Sequence, residues 1–482
     1  MDRVVRYILS HFPHQPTDGQ REACHKMAAF LYDPDPTAAF VLNGYAGTGK
    51  TSLVSALIQS APALHIKTLL LAPTGRAAKV LSAYSGQPAF TIHKRIYQTV
   101  TDGRGMVHIC RAKNKHRYTL FIVDEASMIG LHSEGAASGH SLLDDLIDFV
   151  MDGDHCRLMF IGDTAQLPPV GADDSPALNL EFLRQATPLH PYPATLTEVV
   201  RQQKNSGILY NATLLRMQIS QMEECDVPQL PLFDLSDCTD IQRLHGADLE
   251  EVLNQEYSAQ GQEQMAIVTR SNKSANMFNQ AIRNRILFRE EEVNAGDYLM
   301  VVKNNYYWLD KDSGIGFIAN GDIVEVLSVR NVEELYGFRF ADATLRFVDY
   351  PEAPTIDSKL LLQTLHSESP ALTRDESQRL FEQVMEDYAD MPHKSDRLRA
   401  LKENPYYNAL QVKFAYALTC HKTQGGQWGT VIVDQGYMTD DMVNREYLRW
   451  LYTAITRATG KVFLLNFNDN FFADGNTFLS KQ

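Results

Sequence analysis

Short apolar runs alternate with amphipathic stretches through residues 1–200. Several of the runs end in a turn or a polar motif: TAAFVLNGYAG, TLLLAPTG, TLFIVDEAS and RLMFIGDTAQ. Apolar runs of this length, separated by helical patterns, are typical of strands buried on both faces of a parallel sheet. Ligands of such sheets bind at the carboxyl ends of the strands. The pattern therefore predicts an α/β domain with its polar motifs gathered at one edge of the sheet.

The pattern changes between residues 294 and 350, where apolar and polar positions alternate between Gly, Asn and Asp turns. This alternation predicts a small antiparallel barrel. Residues 351–405 have a helical pattern with mixed charges, which usually indicates a solvated helix face. The strand–helix pattern returns at 406–482. We therefore predict that the barrel and the charged helices are inserted in a second α/β domain.

Composition narrows the class of protein. The chain has 482 residues, of which 44% are hydrophobic and 22% charged, as expected for several globular domains. No apolar run is long enough to cross a bilayer, and the N-terminal segment lacks a signal-peptide pattern. The six cysteines form no CxxC pair, so we expect reduced thiols, no zinc site and a cytoplasmic protein. The net charge of −14 argues against nucleic acid unless basic residues are concentrated locally.

A complete GxxxxGKS/T sequence follows an apolar run and precedes a helical pattern. It consists of Gly44, Tyr45, Ala46, Gly47, Thr48, Gly49, Lys50 and Thr51. In this context it predicts a phosphate loop, whose backbone N–H groups and helix N-terminus bind phosphates. Lys50 is expected to contact the β- and γ-phosphates of ATP, and Thr51 to ligate Mg²⁺. The alternative is a glycine-rich turn without a ligand.

Two further apolar runs end in residues suited to phosphoryl transfer. Asp124 and Glu125 follow the run LFIV. We expect Asp124 to hold Mg²⁺ and Glu125 to polarise the attacking water. Gln166 follows the run LMFIG and precedes two prolines that restrict the loop, so its amide can sense the γ-phosphate. The alternatives are an acidic strand end and a proline-rich loop without catalytic roles.

Taken in order, these motifs resemble those of superfamily 1 helicases, and within them the RecD-like and Dda-like enzymes that move 5′ to 3′. From the Q motif through motifs I, Ia, Ib, II, III, IV, V and VI, the segments are PTDGQREA, GYAGTGKT, LLAPTGRAAKVL, TIHKRIY, FIVDEASMI, GDTAQLPPV, LTEVVRQ, ALTCHKTQGGQWGTVIV and YTAITRAT. The resemblance covers nearly the whole chain. It implies an α/β fold of two RecA-like P-loop domains with an ATP cleft.

The resemblance also implies two insertions, a β-hairpin pin in the first motor domain and a small Src-homology-type β-barrel in the second. The predicted ranges are 1–200 for the first motor domain with the pin at 98–118, 201–293 and 406–482 for the second, 294–350 for the barrel, and 351–405 for a helical insert of unknown role.

Some roles follow from the resemblance alone. It places Gln20 at the adenine, and it makes Arg201 and Arg457 the arginines that stabilise the transferring phosphoryl group. An arginine taken by itself is usually a surface residue. ATP and Mg²⁺ are the cofactors that the resemblance implies.

The clearest concentration of basic residues lies between Thr91 and Arg117. It includes Lys94, Arg104, Arg111 and Lys113. These basic residues are suited to contact phosphates at a junction of nucleic-acid strands. The alternative is that their charges only protect the exposed edge of a hairpin. The resemblance implies further phosphate contacts from Thr74, His93, His421 and Thr423, and the second domain offers Arg270 and Asn272.

Three functions remain open. The first is an ATP-dependent 5′-to-3′ DNA helicase, working as a monomer on single-stranded DNA and DNA junctions in repair or recombination. The second is a motor that translocates or remodels nucleic-acid complexes without strand separation. The third is a P-loop nucleotide switch, which has no need of a second RecA-like domain. The RecD-like form of motif II, VDEASM, favours DNA over RNA.

Overall fold

The computed structural model describes residues 2–101, 107–131, 141–200, 206–222, 230–236, 238–309, 317–348, 352–439 and 442–473. In the first part of the chain the elements are α1 (Asp2–Ser10), α2 (Asp18–Tyr32), β1 (Ala38–Gly44), α3 (Lys50–Ser60), β2 (Lys67–Ala72), α4 (Gly75–Ser85), β3 (Ala89–Thr91), α5 (Ile92–Ile96), β4 (Tyr97–Thr101), β5 (Val107–Arg111), β6 (Thr119–Val123), α6 (Leu142–Met151), β7 (Arg157–Gly162), α7 (Leu180–Ala186) and β8 (His190–Leu196).

In the second part they are α8 (Gly207–Gln221), β9 (Ile241–Leu244), α9 (Leu249–Gln260), β10 (Met265–Thr269), α10 (Asn272–Ala281), β11 (Tyr298–Val301), β12 (Ile323–Leu335), β13 (Phe338–Phe347), β14 (Ile356–Leu361), α11 (Gln363–His366), α12 (Arg374–Glu386), α13 (Lys394–Lys402), β15 (Leu410–Phe414), β16 (Ala417–Thr419), α14 (Cys420–Thr423), β17 (Trp428–Asp434), α15 (Arg445–Ile455) and β18 (Ala458–Leu465).

The first α/β unit contains a six-stranded parallel sheet in the order β3-β2-β6-β7-β1-β8. Apolar residues of α1 to α4 pack on one face, and those of α5 to α7 pack on the other. Because both faces are covered, the inner strands β1, β6 and β7 are continuous apolar runs, whereas the edge strand β8 alternates between buried and exposed residues. The polar motifs that follow β1, β2, β6 and β7 therefore share one edge of the sheet.

The second α/β unit contains a five-stranded parallel sheet in the order β16-β10-β17-β18-β9. Apolar residues of α8 and α15 pack on one face, and those of α9 and α10 lie in the core shared with the barrel. Two parallel sheets with helices on both faces confirm the predicted α/β fold of two RecA-like domains.

The closed barrel consists of β11 to β15 and has a boundary that differs from the predicted range of 294–350. β14 pairs antiparallel with β13, and β15 closes the barrel between β11 and β14. A barrel needs a partner for each edge strand, so the chain returns after the charged insert to supply the last strand. The predicted helical insert at 351–405 is wrong at its start, because β14 lies inside this range, and its helical part is α11 to α13.

The helical part of the insert packs on the outside of the barrel. Leu380 and Val384 of α12 and Leu401 of α13 contact Phe338 and Phe340 of β13 in one buried cluster. The remaining face of each helix carries the mixed charges that the sequence shows. Among the helices of the described ranges, none is long and apolar enough to cross a membrane.

The predicted pin is a β-hairpin. β4 and β5 pair antiparallel, with Tyr97 opposite Arg111 and Thr101 opposite Val107. Residues 102–106, which include the predicted contact Arg104, lie outside the described residues. The hairpin leaves the first sheet after α5 and returns to it at β6, so it is an insertion in the first motor unit.

Candidate functional site

The phosphate loop connects Gly44, the last residue of β1, to Lys50, the first residue of α3. Gly47 and Gly49 have φ angles of 72° and 77°, in the left-handed region where a side chain is strained. A Cβ at Gly49 would also collide with the amide of Gln20. The loop can therefore keep this close, curved path, with its backbone N–H groups at a helix N-terminus, because these positions are glycine.

The Lys50 ammonium is held within the loop. Its Nζ donates to the carbonyl oxygens of Gly44 and Tyr45, the latter at 3.2 Å, and lies 3.8 Å from Asp163 Oδ2. Phosphate oxygens are stronger acceptors than these carbonyls because they are charged. The ammonium can therefore transfer its hydrogen bonds to a bound nucleotide.

The acidic pair follows β6. Asp124 Oδ2 accepts a hydrogen bond from the Tyr84 hydroxyl at 2.7 Å, and its Oδ1 accepts one from the backbone N–H of Glu125 at 2.9 Å. Burial raises the pKa of both carboxyl groups above their ordinary values, and the nearby Lys50 opposes the rise. A cation bound between them would stabilise both carboxylates. These oxygens thus form a donor set suited to a divalent metal.

Arg457 approaches the acidic pair from the second unit, between α15 and β18. Its Nε donates to Thr453 O at 3.1 Å, and its Nη1 lies 3.9 Å from Glu125 Oε1, with only 5% of the arginine side chain exposed. The guanidinium lowers the pKa of Glu125, against the larger effect of burial. The structure thus brings two predicted site residues together across the cleft. The other predicted arginine, Arg201, lies outside the described residues.

Gln166 follows β7, and its buried amide has an oxygen that accepts no hydrogen bond among the described residues. The residue is 6% exposed, and this oxygen is its Oε1. It lines a cavity of about 270 Å³ together with Tyr45, Ser127 and Asp163. A buried acceptor without a partner costs stability, so the position suits a water or a ligand that donates to it.

Tyr452 of motif VI joins the two motor units. Its hydroxyl donates to Asp163 Oδ2 at 2.7 Å and accepts a hydrogen bond from the backbone N–H of Ala46 at 2.8 Å. Burial raises the pKa of this hydroxyl well above its ordinary value, so it remains a proton donor. No role for Tyr452 could be predicted from the motif alone. Its one signal is a hydroxyl within the mostly apolar run WLYTAI, beside the hydroxyl of Thr453.

The loop of motif III is held by the second unit at further points. The backbone N–H of Leu167 donates to Thr453 Oγ1 at 2.8 Å, and its carbonyl accepts from Gln424 Nε2 at 2.6 Å. Arg449 Nη2 donates to Asp174 Oδ1 at 2.9 Å. Sequence reasoning missed these contacts, because hydrogen bonds between distant segments leave no periodic signal. Opening of the cleft would break them.

Gln20 is built into the base of the phosphate loop. Its Oε1 accepts from the backbone N–H of Thr17 at 2.9 Å, and its Nε2 donates to Thr48 O at 3.0 Å. The first bond is half of a capping box that begins α2. The amide has a second N–H and a second lone pair, and a contact with adenine through them stays a prediction.

Two residues of the first unit that are predicted to contact the nucleic-acid strand already have other partners within the fold. Thr74 caps α4 by accepting from the backbone N–H of Ala77 at 3.2 Å, and it lies beside Gly425 of motif V. His93 packs on Tyr97, with 5.6 Å between ring centroids, and burial lowers its pKa to about 4. His93 therefore offers a neutral imidazole.

Among the basic residues around the hairpin, some are buried or paired within the fold and others are exposed. Lys94 is half-buried, and burial lowers its pKa. Arg111 pairs with Asp152 at 3.0 Å, so its charge is balanced within the fold. Lys113 is exposed and available to a ligand. The role of Arg111 in phosphate contact is weakened by this pairing.

The second unit brings Arg270 and His421 together, since both line a cavity of about 170 Å³. Asn272 begins α10, on the same unit. Thr423 does not fit its predicted role, because it is fully buried and its hydroxyl donates to Cys420 O at 2.7 Å. The short helix α14 turns this side chain inward, which the motif alone does not reveal.

Two family models match the chain. Residues 15–221 match an AAA domain, and residues 414–465 match a UvrD-like helicase C-terminal domain. A segment of 172 residues, 36% of this chain, is 36% identical to the ATP-dependent RecD2 DNA helicase of Deinococcus radiodurans. A segment of 203 residues, 42% of this chain, is 30% identical to the ATP-dependent DNA helicase dda of Enterobacteria phage T4. A Pif1 helicase from Bacteroides aligns with a TM-score of 0.47 and 15% identity, over 96% of this chain and 95% of that one.

These matches confirm the resemblance to superfamily 1 helicases of the RecD-like and Dda-like class. The first match contains the phosphate loop, the acidic pair and motif III, and the second contains motifs V and VI. The chain spans 21% of the length of the RecD2 helicase and 42% of the length of the Dda helicase.

Proposed function

We propose that this chain is an ATP-dependent helicase that moves 5′ to 3′ on single-stranded DNA and unwinds duplex DNA. The observation that carries the proposal is the approach of Arg457 to Glu125 across the cleft. A nucleotide switch needs a phosphate loop but no second motor domain. An arginine supplied by a second domain instead links ATP hydrolysis to the spacing of the two domains. The similarity to two DNA helicases supports DNA as the track.

The residues present fit ATP with Mg²⁺. The loop between Gly44 and Lys50 offers backbone N–H groups at a helix N-terminus, and Lys50 offers an ammonium held by weak acceptors. Thr51 and Asp124 are the residues that would hold Mg²⁺. When bound, Mg²⁺ neutralises the charge that develops on the phosphate oxygens.

The remaining groups act on the γ-phosphate and on water. Glu125, as a carboxylate, orients the attacking water by accepting its hydrogen bond. The unpaired amide oxygen of Gln166 accepts from the same water or from a second one. Arg457 would place its guanidinium where negative charge grows during transfer, and it lowers the pKa of Glu125 against the larger effect of burial.

Motif III couples this chemistry to the strand. Gln166 lines one cavity together with Tyr45 of the phosphate loop and Asp163, whereas the next residue, Leu167, lines the cavity of Arg270 and His421. The backbone of Leu167 is bonded to the second unit at both its N–H and its carbonyl. A shift of this loop during hydrolysis would therefore move the two predicted sets of strand contacts relative to each other.

We expect Tyr452→Phe to reduce strand-stimulated ATP hydrolysis by about tenfold or more, because a hydrogen bond to a charged group contributes about 1.5–3 kcal/mol. The substitution leaves Asp163 and the N–H of Ala46 without the hydroxyl but keeps the ring packing. Steady-state hydrolysis with saturating oligonucleotide measures the effect. Tyr210→Phe, at a half-exposed tyrosine of α8, is the matched control. Parent-like turnover in Tyr452→Phe would remove this residue from the coupling scheme.

The hairpin separates the helicase hypothesis from that of a translocase without strand separation. Replacing residues 99–109 by a short Gly-Ser turn should preserve strand-stimulated hydrolysis and abolish unwinding. Tyr97 is retained because its hydroxyl donates to Asp145 at 2.7 Å, and Asn114 because its buried amide donates to Phe149 O at 2.8 Å. Hydrolysis and strand displacement are measured on the same preparation. Normal displacement by this variant would mean that the hairpin does not split the duplex.

A further inference from the structure

A second cavity lies apart from the nucleotide cleft, between the barrel and α12 and α13. Its volume is about 450 Å³, within the range of about 300–1,000 Å³ typical of ligand pockets. Its walls come from residues 303–307 after β11, from the end of α13, and from residues 407–411 at β15. No residue that we assign to the nucleotide or to the motor strand lines it.

Tyrosine rings stand at the rim of this cavity. Tyr306, Tyr307 and Tyr407 are 41%, 38% and 37% exposed. Each is fixed from one side. Tyr306 packs on Phe317 with 4.8 Å between centroids, Tyr407 packs edge-to-face on Phe381 with 6.4 Å, and the Tyr307 hydroxyl donates to Glu403 O at 3.0 Å. Aromatic rings held in this way are platforms on which nucleobases stack without regard to sequence.

The ionisable side chains of the lining are mostly basic. Lys303, Arg399 and Lys402 stand against one acid, Glu403. Arg399 also pairs with Asp396 at 3.4 Å, but both side chains are exposed, and an exposed ion pair is weak enough for a phosphate to compete with it. In a chain of net charge −14 this is a local reversal of sign. Basic side chains interleaved with exposed aromatic rings match the backbone and the bases of a single strand at the same time.

The cavity also lies beside the root of the hairpin. Tyr306 packs on Phe317, and Phe317 lines a small cavity together with Phe90 and Lys94, which lie just before the hairpin in the chain. A nucleic-acid strand that leaves the duplex at the hairpin would therefore pass close to this rim.

We propose that the cavity between the barrel and the helical insert binds single-stranded nucleic acid as it leaves the hairpin, with a base on the tyrosine rings and phosphates at Lys303 and Arg399. The inference rests on the proposed function, since it needs a strand to be separated at the hairpin. The two motor units and this cavity would then hold different strands of one fork. The helical insert, which had no role, supplies one wall of the site.

The test compares the binding of a fork with two single-stranded tails and of a duplex with a 5′ tail alone, by fluorescence anisotropy without ATP. Tyr407→Ala should weaken fork binding by at least about fivefold, the lower end of the loss of one base stack, and leave the 5′-tailed duplex unaffected. Tyr407→Phe keeps the ring and should bind as the parent does. Tyr32→Ala, at a tyrosine of α2 that is 61% exposed, is the matched control.

A second variant tests the charges. Lys303→Gln with Arg399→Gln should lower the salt slope of fork binding by about 1.4, the value for two single-strand phosphates. The proposal is overturned if both variants bind the fork as the parent does, which would leave the cavity to a protein or a small molecule. It is also overturned if Tyr407→Ala weakens both substrates equally. If the unmodified protein does not displace a strand, the proposed function is rejected. The anisotropy measurement without ATP would still decide whether the cavity binds a second strand.

Discussion

Replacing Lys50 by alanine is expected to lower the rate of ATP hydrolysis by at least about 10²-fold, in line with the loss of one group that stabilises transition-state charge. The ammonium lies inside the phosphate loop, bonded to the carbonyls of Gly44 and Tyr45 and 3.8 Å from Asp163. Its removal leaves the β- and γ-phosphates without this cation. Single-strand binding should change only a few-fold, since Lys50 contacts none of the predicted strand residues. Steady-state hydrolysis and anisotropy of a labelled oligonucleotide measure the two effects.

The control for this experiment is Lys26→Ala. Lys26 lies on α2, is 44% exposed and pairs with Glu22 at 2.8 Å within the same helix. Removal of an exposed helical ion pair has a small effect, so this variant should hydrolyse ATP at the parent rate. Strand-stimulated hydrolysis retained in Lys50→Ala would mean that the nucleotide binds elsewhere.

Replacing Arg457 by alanine is expected to cut turnover by at least about 10²-fold, within the range known for arginines that act on a transferring phosphoryl group. Nucleotide affinity should change much less, because Arg457 belongs to the second unit and the phosphate loop belongs to the first. Arg457→Lys keeps the charge but loses the planar fork, so its turnover should lie between those of the parent and the alanine variant. The same substitution at Arg201 tests a role that rests on the resemblance.

The pH dependence gives Arg457→Ala a second readout. The Arg457 guanidinium lowers the pKa of Glu125, so its removal should raise that pKa. Because Glu125 acts as a carboxylate, the acid limb of the rate profile should move to higher pH. Arg285→Ala, at an exposed arginine of the second unit, should leave both turnover and profile unchanged. Parent-like turnover and an unshifted profile in Arg457→Ala would contradict the contact across the cleft.

The parts of the fold that follow from short-range pattern could be predicted from the sequence. The apolar runs before Gly44, Asp124 and Gly162 are strands of one parallel sheet, and the motifs after them meet at one edge. A strand buried on both faces has a continuous apolar signal, and the residue at its carboxyl end is fixed by the chain itself. The placement of the nucleotide motifs therefore required no tertiary information.

Contacts between distant segments could not be predicted. The bond from Tyr84 to Asp124 joins α4 to the end of β6, and the bonds of Tyr452 join α15 to β1 and β7. Each depends on which helix covers which sheet edge. A tyrosine in an apolar helical run has the same pattern whether its hydroxyl reaches solvent or a catalytic acid.

The predicted barrel boundary and the predicted role of Thr423 differ from the structure for related reasons. The alternation that predicts a barrel stops near residue 350, whereas closure depends on β14 and β15, which lie on either side of two charged helices. Thr423 lies within a motif that predicts strand contact, but the one-turn helix α14 directs its hydroxyl to Cys420 O. In both cases the deciding partner is set by the path of the backbone in space.

The most direct test of the proposed function compares strand displacement from duplexes with a 5′ tail, a 3′ tail or no tail, in DNA and in RNA, at fixed salt with excess ATP and Mg²⁺. Nothing in the phosphate loop, the acidic pair or Arg457 sets direction. The direction rests on the small hairpin between α5 and β6, the short β-rich barrel and the resemblance to the RecD-like and Dda-like class. We predict efficient displacement from the 5′-tailed DNA duplex and little from the other substrates. Displacement from the 3′-tailed duplex, with none from the 5′-tailed one, would contradict the proposed direction and leave the ATP-driven motor in place.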